Sequence, residues 1–456
     1  MQGDRVSKSE SRSERIFRIE KEAVRAIKEE YKAEQERIIK EEDSHSSPNP
    51  WLTRTQWSMH LATFERPQLR GWIRLPEEGG EQGQQRRQGR QRQQKQQQQR
   101  QTSEVNEGQE VVEREDEEHG ERRLQLICKA FRWMIRECQG TVDTVGSEAL
   151  FVANRKEYGK TPTMGLSGWM DRGTAHKYSR VWEAVLCYFF RSQKVPKDER
   201  PAYQLTRKQV KARDKVYERV EEFEAWEAKQ KESEGRSQNQ SRNTRGNTSR
   251  TAKDKGWDSD EMIEEMAKVQ QSVLELCIAI LDHAWEEGEY DCVLISGLAV
   301  LGIEDDDSGW MSPIEYTPIY SAIIKLARLM VVQYAYDQRQ EAIEELCVHG
   351  YSVAQAKTKA SPLYFRVQEA MERFMILGQP GKRAAPIRWI YRMRTYGMKI
   401  RYTTTAEGRI QWIGKDTILY PKLRFNMGQL RGMMHGMTRE MQQRLFQGLM
   451  MLPTMG

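Results

Sequence analysis

Apolar residues return every three or four positions in segment after segment of this chain, a spacing that predicts helices. Leu124, Ile127, Cys128, Phe131, Met134 and Ile135 form one such face, and Tyr178, Val181, Trp182, Val185, Leu186 and Phe189 a second. Met262, Met266, Val269, Val273, Cys277 and Ile280 form a third, with Asp258 or Ser259 placed to cap it and Trp257 to staple it. The run 292–303 reads as a fully buried helix, and a charged helix is expected over 207–231. Thr317-Pro318 and Ser361-Pro362 each put a capping residue before a proline suited to the first helical turn, opening helices to about Tyr336 and Phe374. A small hairpin is expected at 409–420, where Ile410 and Trp412 alternate, Gly414-Lys415-Asp416 turns the chain, and Ile418 and Tyr420 return it. The expected fold class is mainly α: multi-helix domains, a small β-hairpin near the C-terminus, and two disordered low-complexity insertions.

Not all of the 456 residues can pack into cores, because 38% are hydrophobic and 31% charged. From Gln82 to Gln101 the chain is mostly glutamine and arginine with no acid, a composition that cannot build a core. The expected organisation is a charged helix or coiled-coil arm at 1–43, a short tryptophan-containing segment at 44–78, and a disordered Gln/Arg-rich then acidic stretch at 79–119. A helical domain at 120–232, a disordered Ser/Asn/Arg linker at 233–256 and a second helical domain at 257–378 follow. The last segment, 379–456, carries basic and aromatic residues, the hairpin and a Met-rich helix. The six cysteines include no CxxC pair, which suits buried thiols in a reducing compartment. The most apolar runs are too short, or broken by Lys325 and Arg328, which argues against a membrane span.

Sequences that resemble catalytic motifs fail on context. Asp116-Glu117-Glu118-His119 spells a DExH box, yet no apolar strand precedes it, and no GxxxxGK[ST] loop exists to cradle phosphates. The nearest approach, Gly408 to Gly414-Lys415-Asp416, has one residue too many and an acid where a hydroxyl is needed. Glu304 to Glu315 only loosely matches a calcium loop, with a glutamate at its first position and Pro313 in its second half. Cys277, His283 and Cys292 are too widely spaced for a zinc module. A tyrosine recombinase is excluded because His435 and Arg439 are misspaced and no tyrosine follows Tyr420. No enzyme activity, cofactor, metal or small-molecule substrate is expected.

One segment carries binding chemistry. Between Lys382 and Arg424 eleven cations face two acids, Glu407 and Asp416, with six aromatics interleaved and Phe425 next in the chain. Cations attract phosphates through counterion release, and aromatic faces stack on bases. The expected nucleic-acid contacts are Lys382, Arg383, Arg388, Arg392, Arg394, Tyr396, Lys399, Arg401, Arg409 and Trp412, with Arg388, Arg392, Tyr396 and Lys399 near one helix face. The alternative is a solvated basic face with the aromatics in the core. A protein partner is a second possibility, reached through helix 11–43 or the C-terminal helix. The stripe Met427, Leu430, Met434, Met437, Met441, Leu445 and Leu449 on that helix reads as core more readily than as a partner groove.

Several blocks, taken in order, resemble a known family. They are Pro50-Trp51-Leu52 with Arg54 to Trp57, Tyr178 to Trp182 with Leu186 to Phe189, Leu281-Asp282-His283, and Leu298 to Ile303. Tyr316-Thr317-Pro318 with Ile323 to Ala327, Met371 to Phe374, Arg394 to Gly397, Lys399, Arg401, Thr403 to Thr405 and Gly408 to Trp412 complete the set. This order resembles the region ahead of the motor in fungal telomere-linked, RecQ-type helicase-like proteins. The resemblance implies a nuclear location and association with DNA. It implies no ATPase activity for this chain, since the helicase core of such proteins is expected beyond Gly456. On that reading the chain is the front end of a longer architecture, a truncated or decayed copy.

Overall fold

The computed structural model describes residues 50–76, 107–242, 260–285, 288–305, 309–377, 385–403, 411–413, 416–420 and 423–449. They form fourteen α-helices and one three-stranded antiparallel sheet, so the mainly helical class holds and the sheet lies in the C-terminal region. The arm at 11–43, the Gln/Arg tract and residues 243–259, with the cap and staple expected there, lie outside the described residues.

The chain divides into two compact units, Met1–Met398 and Lys399–Gly456. The first is built around one helix, α10 (Pro313–Val348), from which Tyr316, Tyr320, Ile323, Leu326, Ala327, Met330, Val331 and Ala335 are buried. A helix apolar on all sides must be covered on all sides. The cover comes from α4 (Glu107–Thr144), α6 (Arg172–Ser192), α8 (Asp260–Leu281), α11 (Val353–Lys359) and α12 (Leu363–Phe374). α7 (Arg207–Arg242) packs on α8, and α5 (Ser147–Ala153) on α12. The fully buried α9 (Val293–Val300) lies against α6 and α3 (Arg66–Ile73). The three expected apolar faces are buried at all but two positions: Tyr178 and Val181 are less so.

Two short helices, α1 (Pro50–Thr55) and α2 (Trp57–His60), insert Trp51 and Trp57 into this core at 1% and 0% exposure. Their rings meet edge-on with centroids 5.4 Å apart, and both meet Tyr316. α13 (Pro386–Thr403) closes over them. Tyr396 stacks on Trp51, and its hydroxyl donates to the Pro50 carbonyl at 3.2 Å. Gly397 permits that approach, since a Cβ there would lie 2.7 Å from Thr317 and 3.1 Å from Trp51.

Several expectations are corrected. The segments 120–232 and 257–378 share one core, because α8 packs on both α4 and α7 across the expected linker. The acidic residues 110–118 belong to α4, and residues 233–242 continue α7, so both are helical. Each is polar, and each extends a helix whose other end is anchored by packing, which removes the cost of nucleation. α10 is capped by Ser312, not by Thr317, and runs past Tyr336 to Val348. Ser312 and Glu315 form a capping box with Pro313 in the first turn, a stronger start than Thr317-Pro318, and Pro318 is carried inside the helix.

The second unit holds the sheet and α14 (Met427–Gln443). β1 (Gln411–Ile413) pairs with β2 (Thr417–Tyr420) as the hairpin reading expects, with Trp412 opposite Ile418. A third strand, β3 (Leu423–Asn426), was not expected; it sets Phe425 opposite Ile418 and Arg424 opposite Leu419. Asn426 ends the strand and caps α14, accepting from the Gln429 amide at 2.7 Å while Gln429 Oε1 accepts from the Asn426 amide. The core reading of the Met-rich stripe is overturned, because Met434, Met437 and Met441 are 61%, 56% and 68% exposed.

Candidate nucleic-acid interface

The fold distributes the expected contact residues over different environments. Arg388 is buried near the start of α13, where its guanidinium donates to the Glu372 carbonyl at 3.0 Å. A cation at the C-terminal turn of α12 satisfies a carbonyl that has no helical partner. Burial, and then the neighbouring Arg392, lower the Arg388 pKa. Arg388 and Tyr396 are therefore structural, as the aromatics-in-the-core alternative holds for them. Arg392 is exposed, Arg394 and Lys399 are half-buried, and Arg401 and Trp412 are placed by backbone alone in α13 and β1. Lys382, Arg383 and Arg409 lie outside the described residues.

Arg394 instead belongs to a cluster assembled from three places in the chain. Its Nε donates to Ser321 Oγ on α10 at 2.7 Å. Two turns along α10, the Arg328 guanidinium lies 5.9 Å from the centre of the Tyr391 ring and donates to the Asn154 carbonyl at 3.2 Å. Lys156, from the segment after α5, places Nζ 5.6 Å from the same ring. Lys325 donates to the Ser167 carbonyl. Tyr391 is thus a buried aromatic platform with cations around it, and its phenol pKa is raised by burial while Arg328 and Arg394 pull it down.

The electrostatics show an excess of positive charge. Burial lowers the Lys156 pKa, and Arg394, Lys160 and Arg328 lower it further against the opposing effect of Glu157. Burial and then Arg328 lower Lys325. Glu157 is itself engaged by Lys160. Cations held this close in partly desolvated positions raise one another's energy, and an arriving anion relieves that repulsion. Sequence reasoning found Arg394 and missed Lys156, Lys325 and Arg328. None of these three stands in a basic run, and only the packing of α5, α10 and α13 brings them together.

One polar pair has the spacing of a catalytic arrangement. Ser296 Oγ lies 2.8 Å from His60 Nε2, the spacing of a nucleophile and its base. Ser296 is 0% exposed, however, and the Tyr188 hydroxyl lies 2.7 Å from the same oxygen. Tyr290 stacks on His60 and donates to the Thr55 carbonyl. This chain of polar groups joins α2, α6 and α9 inside the core. His283 faces Gln209, and among the described residues no three His, Cys, Asp or Glu side chains gather to hold a metal. No described helix is long and apolar enough to cross a membrane. A cleft of about 460 Å³ between α4, α6 and α7 has Arg123 in its lining, and this arginine is paired with Glu221 at 3.0 Å and Glu224 at 3.1 Å.

Compared with known proteins, the chain matches no family model, no curated protein and no solved structure. The basic face is therefore read from its own chemistry.

Proposed function

We propose that this chain is a non-catalytic, DNA-associated accessory module acting in the nucleus. The observation that carries this reading is the convergence of Lys156, Arg328 and Arg394 around Tyr391, with Lys325 one turn before Arg328 on α10 and the exposed Arg392 on the same helix as Arg394. Charge distribution supports it. Residues 399–456 hold nine Lys and Arg against three acids, net +6, which equals the charge of the whole chain, so the first 398 residues balance. The ordered resemblance to the region ahead of a telomere-linked helicase motor supports the same partner.

The test is DNA binding by fluorescence anisotropy over a range of salt. Phosphate contacts make the logarithm of affinity fall linearly with the logarithm of salt, and each contact removed lowers that slope by about 1. K156E and R392E are expected to weaken binding and flatten the slope. Arg388 is unsuitable for charge reversal because it is buried against α12.

A second reading, a helical protein-interaction module, is favoured by the exposed stripe on α14. Methionine faces of this kind adapt to a partner helix. Under that reading, polar substitution of Met437 and Met441 would abolish partner capture and leave DNA binding intact.

A further inference from the structure

The segment joining α5 to α6 is a long loop, and it is pinned to the body at several points. The Tyr158 amide donates to the Leu377 carbonyl at 2.9 Å, and the Leu166 amide to the Leu150 carbonyl at 2.9 Å. Asn154 Nδ2 donates to the Met164 carbonyl at 2.9 Å, and Gln139 Nε2 to the Gly168 carbonyl at 3.0 Å. Lys325 of the basic cluster donates to the Ser167 carbonyl. Gly168 presses onto α4 so closely that a Cβ would lie 2.8 Å from the Gln139 carbonyl oxygen. Leu166 is buried beneath the loop.

The next residue after this anchored glycine is Trp169, and it is 75% exposed. Trp51, Trp57, Trp72 and Trp182 are buried, and Trp169 is the most exposed tryptophan among the described residues. Leaving an indole in water forgoes one of the largest burial gains any side chain offers, and loops held rigid by the scaffold are where binding residues sit. Tyr158, 36% exposed, stands two residues from Lys156 on the same loop. Cations and outward aromatic faces are thus presented by one loop and the helix that tethers it.

We propose that the ligand of this face is single-stranded DNA, with Trp169, two residues after the Ser167 carbonyl that Lys325 holds, as a stacking platform. This rests on the nucleic-acid reading above and deepens it. In a duplex the base faces are already stacked on one another, and only phosphates and base edges are offered. A single strand offers both backbone charge and free base faces, which is what cations beside an exposed indole recognise.

The experiment compares W169A, W169F and K156E of the full chain on an oligothymidine of about 20 nucleotides and on a duplex of equal length, since a strand of that order spans typical single-strand site sizes. Trp169 is outside the core, so W169A is expected to keep the helical circular-dichroism signal and melting temperature of the parent. W169A should weaken single-strand binding by about five- to hundredfold, the range for loss of one stacked base, and leave duplex binding unchanged. W169F should retain most of the affinity, and K156E should weaken both ligands. Unchanged single-strand affinity in W169A, with K156E still impaired, would overturn the stacking proposal and leave DNA association standing. Absence of binding to either ligand at low salt would overturn both.

Discussion

Gly302 sits under the Trp57 ring so closely that a Cβ would lie 2.5 Å from it. Gly302→Ala therefore forces the indole to move within a packed core, and overpacking of this kind costs about 1–3 kcal/mol. Trp57→Ala removes the ring itself and is expected to cost about 3–5 kcal/mol. Urea unfolding followed by circular dichroism checks both, and an unchanged midpoint in either variant would refute the packing described for α2. Two titrating residues give opposite pH signatures. Burial lowers the His60 pKa to about 4 from an ordinary 6.5. Its contribution to stability is present above pH 6.5 and is lost as the pH falls through that value toward 4. Burial raises the Asp337 pKa to about 6 from 3.8, with Glu137 and Glu341 adding to the effect. Its contribution is fully present below pH 3.8 and is lost as the pH rises through 6. Asp337→Asn is therefore expected to gain stability over the parent at pH 7 and to lose that advantage near pH 4, as read from melting temperatures. His60→Gln should flatten the acid side of the parent's profile.

At the scale of elements, the helical faces were the most legible part of the sequence, because a buried face imposes its period directly. The faces on α4 and α8 could be read residue by residue. Starts were less legible. Ser312-Pro313-Ile314-Glu315 and Thr317-Pro318 are both start signals, and the reciprocal side-chain bonds of the first decide between them. Ser312→Ala is expected to cost about 1 kcal/mol, the usual loss for an N-cap hydroxyl, and Thr317→Ala should show no capping loss. The fate of the α14 stripe was not legible at all, since periodicity shows that a face is apolar and not what covers it. Met437, Met441, Leu445 and Leu449 are spaced by four, so on an α-helix the stripe drifts by about 40° per step. The π turn at Arg444–Leu449 takes more residues per turn and counters that drift. Because Met441 is exposed, Met441→Gln is expected to change stability by less than about 0.5 kcal/mol, whereas a core position would lose several times more. Thermal unfolding distinguishes the two.

At the scale of the molecule, the candidate interface was only partly legible. The excess of cations over acids in 382–424 is visible in the sequence, but a charge run does not say which members face water. α13 turns Arg388 and Tyr396 inward, where one holds the end of α12 and the other stacks on Trp51, and it leaves Arg394 toward α10. Lys156, Lys325 and Arg328 join it from positions 66 to 238 residues away, a juxtaposition that no local pattern encodes. The proposed DNA contact is thus charge gathered by folding around Tyr391. Its most direct test is the salt dependence of DNA binding by the parent protein and the K156E/R392E double variant. Binding is expected at low salt and falls steeply as salt rises, with a slope reduced by about 2 in the double variant. A parent that does not bind DNA at low salt, or a double variant with an unchanged slope, would contradict it.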